Sequence, residues 1–177
     1  MRKTIKIVLA VVAIFAVASI AIGLALPSDY HVQRSISVNA PPERIHALVG
    51  NLERWPEWTP WQAADPGIRV SYGAITSGVG ARQSWVGESG SGELTFTESS
   101  PEKGVRYDLS FDDGAFRSQA AMLYTREADA TRVTWTMSGD VGLSIVGRYF
   151  ALMMDSTAGP MFEDGLARLK TKAEQGG

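Results

Sequence analysis

Few side chains in this sequence have the chemistry for acid–base, nucleophilic or metal-ion reactions. The chain has two histidines, His31 and His46, and no cysteine, which excludes a thiolate zinc site, a cysteine nucleophile and a disulfide framework. Neither histidine has an acidic partner at the spacing of a metal motif. A general base must also have a substrate group within hydrogen-bond reach, and the sequence indicates none. We therefore predict no catalytic residue, no metal site and no cofactor.

Three arginines remain as candidates for holding a carboxylate or an enolate: Arg82, Arg106 and Arg117. Such a group stabilises negative charge in a reaction only if it points into a closed site, and the strand patterns place all three at outward or undetermined positions. The segment GESGSG (87–92) precedes a strand, whereas phosphate-binding glycines open a helix. The net charge of −2 offers no bulk attraction to nucleic acid, so no nucleic-acid partner is expected.

An apolar segment near the N-terminus is the first structural element that the sequence predicts. Residues 7–26 carry no charge, and at about 1.5 Å per helical residue they span roughly 30 Å, the thickness of a bilayer's hydrocarbon core. The basic residues Arg2, Lys3 and Lys6 precede this run, so the positive-inside rule keeps the N-terminus in the cytoplasm. We predict a single-pass anchor (1–28) in the cytoplasmic membrane, with the remaining chain outside the cytoplasm. A cleaved signal peptide is the alternative.

The remaining chain (29–177) is predicted to be one α+β domain. A strand over His31–Val38 and a helix that begins near Pro42 come first. Alternating segments between residues 68 and 139, separated by turns rich in Gly, Ser and Asp, favour antiparallel neighbours. A long helix follows, with Ser144 as its N-cap and a break or kink expected at Pro160. The spacing of its first apolar residues predicts that they face inward: Val146, Tyr149, Phe150, Met153 and Met154. This order predicts a curved seven-stranded antiparallel sheet around a C-terminal helix.

The segments that flank the predicted strands resemble a known superfamily. VNAPPERI (38–45), followed by LERWPEWTPW (52–61), resembles the opening of the START/polyketide cyclase (SRPBCC) superfamily, and GPMFEDGLARLK (159–170) is similar to its terminal helix. The resemblance covers nearly all of residues 32–174. It implies a helix-grip fold with a hydrophobic cavity between the sheet and the C-terminal helix, in a membrane-anchored, polyketide cyclase/dehydrase-like member. Members include lipid carriers, hormone receptors and ring-closing enzymes, so the fold leaves the activity open.

The predicted inward faces are rich in aromatic residues and methionine, which suit an apolar and loosely specified ligand. Each of these residues could instead simply fill a core. We predict that the cavity is lined by Trp55, Trp58, Trp85, Phe96, Tyr107, Phe111, Met122, Tyr124, Trp135, Tyr149, Met153 and Met154.

Three functions therefore remain open at the level of the sequence. The favoured one is a membrane-tethered binding or carrier domain for a hydrophobic small molecule or lipid, which a cavity below about 100 Å³ would exclude. The second is a polyketide cyclase/aromatase-like enzyme, which requires buried polar groups that converge on the same cavity. The third is an envelope scaffold with a filled core and no ligand.

Overall fold

The computed structural model describes residues 2–88 and 90–175. The outer limits of the predicted division into 1–28 and 29–177, and Ser89 of the predicted turn, lie outside the described residues. Within these residues the helices are α1 (Arg2–Ala25), α2 (Pro42–Val49), α3 (Trp61–Ala64) and α4 (Ile145–Gln175), with short 3-10 helices at Leu52–Glu57 and Asp112–Gly114. The strands are β1 (Asp29–Val38), β2 (Arg69–Tyr72), β3 (Arg82–Gly87), β4 (Gly90–Ser100), β5 (Gly104–Phe111), β6 (Phe116–Glu127) and β7 (Ala130–Asp140).

The seven strands form one antiparallel sheet in the order β1-β7-β6-β5-β4-β3-β2. The predicted α+β class, with a seven-stranded antiparallel sheet and a long C-terminal helix, is confirmed. Short turns join β3 through β7 as a meander. The first strand, β1, pairs with the last, β7, and the helices between β1 and β2 carry the chain to the opposite edge of the sheet. One row of opposed residues runs across the sheet from Tyr30 on β1, through Leu94 on β4, to Gln83 and Tyr72.

The core lies on the face of the sheet that the helices cover. Alternation along the strands sends side chains such as Val32, Phe96 and Val133 inward, where they are fully buried. Helix α2 contributes Ile45 and Val49 to the same core. The opposite face of the sheet carries threonines and charged residues, so the sheet has one apolar and one wet face.

Helix α4 runs parallel to β1 and is attached to it by polar contacts. Lys170 donates to the carbonyl of Ser37 at 2.8 Å, and Arg34 pairs with both Asp155 and Glu163. These two carboxylates lie on either side of Pro160. Of the break or kink predicted at Pro160, the break is wrong, because α4 continues through the proline, and Arg34 connects the turns before and after it.

The first turns of α4 face away from the core, although the sequence pattern predicted Val146, Phe150 and Met153 as inward. That prediction is wrong, since all three are exposed. The reason is that this part of α4 lies beside the C-terminal end of α1, where Arg148 donates to the carbonyls of Leu24 and Leu26. The predicted N-cap is confirmed, because the Ser144 hydroxyl accepts from the Gly147 amide at 3.0 Å.

Helix α1 contains a segment, Thr4–Ala25, that is long and apolar enough to cross a membrane by length and composition. A signal sequence near an N-terminus passes the same test. The segment is almost wholly exposed, which is not the behaviour of a helix buried in a soluble core.

Candidate functional site

The segment between α2 and β2 (residues 50–68), which we call the connector, packs its tryptophans against the middle of the sheet. Trp55 lies with its ring centroid 5.4 Å from those of both Trp58 and Trp61, and 5.6 Å from that of Tyr107. The connector can turn inward here because Asn51 caps the 3-10 helix by accepting from the Glu53 amide. These rings are a packed aromatic core, and the indole N–H of Trp55 donates to the carbonyl of Val49.

Trp135 connects this aromatic cluster to α4. Its ring stacks on Phe162 with centroids 4.2 Å apart, and its indole N–H donates to the hydroxyl of Tyr107 at 2.8 Å. Burial raises the pKa of the Tyr107 hydroxyl well above its usual range, and the hydrogen bond from Trp135 opposes that rise. Tyr107 therefore stays neutral and serves as a structural acceptor.

The other predicted lining residues lie in several different places. Phe96 and Met122 are buried in the same core, whereas Trp85 and Phe111 form an edge-to-face pair that is only half-buried. Met154 packs against the core from α4.

Two of the predicted residues lie away from the core. Tyr149 is turned toward α1 and donates to the carbonyl of Ser19. Met153 is exposed. The sheet side of α4 therefore contacts the core only from about Met154 onward.

Two open grooves lie on the surface of the described residues, and α4 lines neither of them. The first, of about 300 Å³, lies on the wet face of the sheet. It is lined by charged and polar side chains such as Arg106, Asp108 and Gln119, and Arg106 pairs there with Glu98. Its lining does not suit an apolar ligand. Arg82, the other candidate arginine that forms an ion pair, is exposed and pairs with Glu93.

The second groove, which we call the connector groove, has a volume of about 190 Å³ and opens between the connector and the edge of the sheet. Its walls come from Trp55 and Trp61 on one side and from β2 and β3 on the other. It is lined by Trp55, Pro56, Thr59, Trp61, Gln62, Ile68, Val70, Tyr72 and Gln83.

Titratable chemistry in the connector groove is limited to one phenol. Tyr72 is the titratable residue among its lining, and burial, followed by the charge of Glu53, raises the pKa of its hydroxyl. Thr59 and Gln83 are the buried polar side chains there. The lining therefore offers aromatic walls and hydrogen-bonding amide and hydroxyl groups, but no carboxylate, imidazole or amine for proton transfer.

A second polar cluster lies under α2, at the other end of the sheet. The Nε2 atom of His46 is 3.2 Å from the hydroxyl of Ser99, and its ring meets that of Tyr124 edge-on at 6.1 Å. The His46 Nδ1 atom and the Tyr124 hydroxyl are buried without hydrogen-bond partners among the described residues. Burial lowers the pKa of His46 and raises that of Tyr124, so both side chains are held neutral.

No group of histidine, cysteine, aspartate or glutamate side chains in the part of the chain that the structure describes has the arrangement of a metal site. His31 is exposed near the start of β1.

Comparison with known families assigns the domain. The model of the family described as polyketide cyclase/dehydrase and lipid transport matches residues 29–174. The chain belongs to this family. The resemblance that the opening, connector and terminal-helix segments carry is therefore confirmed, and the fold of this polyketide cyclase/dehydrase-family chain suggests hydrophobic ligand binding.

Solved structures with low sequence identity share the fold. Protein CV1439 from Chromobacterium violaceum is 14% identical, with a TM-score of 0.60 over 81% of this chain and 96% of its own. Protein jhp0584 from Helicobacter pylori is 12% identical, with a TM-score of 0.62 over 82% of this chain and 89% of its own. DynU16, from the dynemicin biosynthetic locus, is 18% identical, with a TM-score of 0.56 over 82% of this chain and 48% of its own. No curated protein matches this chain in sequence.

Sequence reasoning missed most of the connector groove. Of the predicted lining residues, only Trp55 belongs to it. A signal was present, because Val70 and Tyr72 alternate along the edge strand β2 and must share one of its faces, and Ile68 just before β2 continues the alternation. The pattern did not reveal that the connector would leave that face partly uncovered, since this depends on how far the tryptophan side chains reach across the sheet.

Proposed function

We propose that this polyketide cyclase/dehydrase-family chain is a membrane-tethered binding or carrier protein for a hydrophobic small molecule or lipid, and that the connector groove holds the ligand. The observation that carries the proposal is the lining of that groove. Trp55 and Trp61 supply flat aromatic walls, Val70 supplies an aliphatic one, and Gln83 supplies a buried amide. Ligand pockets are typically mostly apolar with a few placed polar groups.

The size of the connector groove restricts the ligand. Its volume of about 190 Å³ is smaller than the roughly 300–1,000 Å³ of pockets that enclose a drug-sized molecule. A compact ring system, or one end of a longer chain, fits this volume. The core tryptophans and Phe96 then act as the rigid floor beneath the ligand.

The chemistry of the groove favours binding over catalysis. An enzyme that closes a ring must hold or move a proton at a defined atom, and Tyr72, whose pKa is raised, is the titratable group that lines the groove. The His46–Tyr124 cluster lies at the other end of the sheet. A cyclase-like enzyme that uses the same groove remains the alternative function, and chemical change in the bound molecule is its signature.

The tether determines where the ligand is exchanged. We propose that α1 spans the cytoplasmic membrane with its basic N-terminus inside, and that the domain lies outside. Three residues separate α1 from β1, and at about 3.3 Å per residue they reach roughly 10 Å. A domain on so short a tether takes up or delivers its ligand at the membrane surface and does not cross a wide compartment.

A comparison of extracted lipids tests the ligand site. The full chain is isolated from host membranes in polymer-bounded nanodiscs without detergent, and the solvent-extracted molecules are identified by mass spectrometry. Val70→Phe places a ring in the groove. Val86→Phe adds the same ring at an exposed position of the neighbouring strand, outside the groove, and both variants retain the lipids that surround α1.

We expect one class of molecule to be enriched with the wild type and Val86→Phe and depleted with Val70→Phe. Unchanged near-ultraviolet circular dichroism of Val70→Phe shows that the fold is intact. Identical extracts from all three proteins would contradict the proposal. If the recovered molecule changes mass on incubation with fresh wild-type protein, the enzyme alternative replaces the carrier.

A further inference from the structure

The first turns of α4 present an apolar stripe to solvent. Leu143 is 86% exposed, Val146 81%, Phe150 55% and Met153 60%. Leu143 lies in the turn just before α4, and the spacing of four and three residues places Val146, Phe150 and Met153 on one side of the helix. Exposed apolar residues that are contiguous in this way mark an interaction surface, and we call these four residues the α4 stripe.

The α4 stripe begins where α1 ends. The Tyr149 hydroxyl donates to the Ser19 carbonyl at 2.7 Å, and the Arg148 guanidinium donates to the carbonyls of Leu24 and Leu26 at 2.6 and 3.0 Å. The carbonyls of Leu24 and Leu26 lie at the C-terminal end of α1, where a helix leaves carbonyls without intrahelical partners, whereas the Ser19 carbonyl lies further inside the helix. Gly23 permits the approach, because a Cβ there would overlap the Ile145 side chain.

These contacts fix the depth of the α4 stripe relative to α1. Ser19 lies seven residues before Leu26 in the sequence, which is roughly 10 Å along a helix. Tyr149 therefore reaches one to two turns below the end of the apolar run. If α1 spans a bilayer, the residues next to Tyr149 on α4 lie at the level of the outer headgroups and the first acyl carbons.

The composition of this part of α4 suits the depth of the outer headgroups and the first acyl carbons. Between Leu143 and Met154 the only charged residue is Arg148, and its charge is directed at the end of α1. Phe116, at the start of β6, is also exposed at the end of the sheet where β7 finishes. Helices that lie in the membrane interface bury such a face by about 5–10 Å.

We propose that the α4 stripe inserts into the outer leaflet of the membrane that α1 spans, and so holds the domain in a fixed orientation on the lipid surface. The occupant of the stripe is lipid. This inference rests on the proposed function, because it requires α1 to be a membrane span. It adds a second membrane contact that fixes the rotation of the domain, which a single tether leaves free.

Depth-dependent fluorescence quenching tests this proposal on the full chain. Because the natural chain has no cysteine, single cysteines can carry an environment-sensitive dye without background. The test positions are Val146→Cys and Phe150→Cys, both exposed, so substitution does not disturb the core. Ile14→Cys, midway along α1, reports whether α1 is embedded, and Lys103→Cys, in the exposed turn after β4, reports a position distant from lipid.

The labelled proteins are reconstituted in phosphatidylcholine vesicles with and without lipids brominated along the acyl chain. We expect strong quenching at Ile14, quenching at Val146 and Phe150 that places the dyes at interfacial depth, and none at Lys103. Quenching at Ile14 but not at Val146 and Phe150 would overturn the inference and leave the anchor in place. Self-quenching between labels at Phe150 would in that case identify a second copy as the occupant. No quenching at Ile14 would overturn the anchor and the inference together.

Discussion

Gly165 of α4 lies against the indole ring of Trp135 on β7. A Cβ at residue 165 would stand 2.8 Å from Cζ3 of that ring, which is closer than carbon atoms pack. Because Trp135 is also stacked on Phe162 and hydrogen-bonded to Tyr107, it cannot move aside. The contact of the C-terminal helix with the sheet therefore depends on the absence of a side chain at this position.

Replacing Gly165 with alanine should destabilise the fold. The added methyl group forces a shift in a rigid core, an overpacking penalty of about 1–3 kcal/mol that is larger than the gain of about 1 kcal/mol in helix propensity. Chemical denaturation of the full chain in nanodiscs measures the free energy of unfolding.

Gly159→Ala is the matched control for Gly165→Ala on the same helix. Its Cβ would meet the end of the flexible Arg34 side chain, whose exposed ion pairs contribute little, so we expect stability to stay the same or to rise by up to the gain of about 1 kcal/mol in helix propensity. Equal effects of the two substitutions would contradict the contact between Gly165 and Trp135.

The two buried tyrosines should respond in opposite ways to loss of their hydroxyls. Tyr107→Phe leaves the indole N–H of Trp135 without its acceptor, which should lower the free energy of unfolding by about 1–3 kcal/mol. Tyr124→Phe removes a hydroxyl that has no hydrogen-bond partner among the described residues, so stability should stay the same or rise. A loss with Tyr124→Phe as large as that with Tyr107→Phe would show that the Tyr124 hydroxyl is satisfied in solution.

His46 should make stability depend on pH. Burial lowers its pKa below the ordinary 6.5 in the folded chain, so the unfolded chain binds the proton more readily. The free energy of unfolding must therefore fall as the pH drops through about 6.5 toward the lower pKa of the folded state. Below that pKa the contribution of His46 no longer changes with pH.

His46→Gln supplies the comparison, because glutamine does not titrate. We expect the Tm of the wild type to fall more than that of His46→Gln between about pH 8 and pH 5, where an ordinary histidine gains its proton. Parallel Tm curves for the two proteins over this range would mean that His46 is as accessible in the folded chain as in the unfolded one.

The contact between α1 and α4 should depend on Gly23. Gly23→Leu places a side chain where Ile145 and Tyr149 pack and should separate the helices, so amides of residues 145–151 should exchange hydrogen faster. Ala21→Leu makes a similar change on an exposed side of α1 and should leave exchange unaltered. Equal exchange in both variants and the wild type would show that the two helices do not depend on each other.

Much of the fold could be predicted from the sequence because its patterns are local. The alternation along β4 to β7 and the apolar stripe of α2 determine which face of each element is buried. Pro160 shows where such reasoning falls short. A proline predicts a break or a kink from local geometry alone, whereas α4 continues through it and Arg34, distant in sequence, pairs with carboxylates on both sides.

The candidate site was less predictable, because its position depends on packing between distant segments. The sequence pattern identified Trp55, Phe96 and Trp135 as inward-facing, but it could not distinguish a ring that fills the core from one that borders open space. Val146 and Met153 illustrate a second cause. Their apolar spacing predicts core packing, but this part of α4 lies beside the apolar helix α1 and both side chains are exposed.

Native mass spectrometry of the full chain ejected from nanodiscs tests most directly whether the connector groove holds a hydrophobic ligand. We expect a wild-type mass that exceeds that of the bare chain by one bound molecule, an excess that disappears on denaturation and is missing in Val70→Phe but present in Val86→Phe. A wild-type mass equal to that of the bare chain, or an excess that Val70→Phe retains in full, would contradict it.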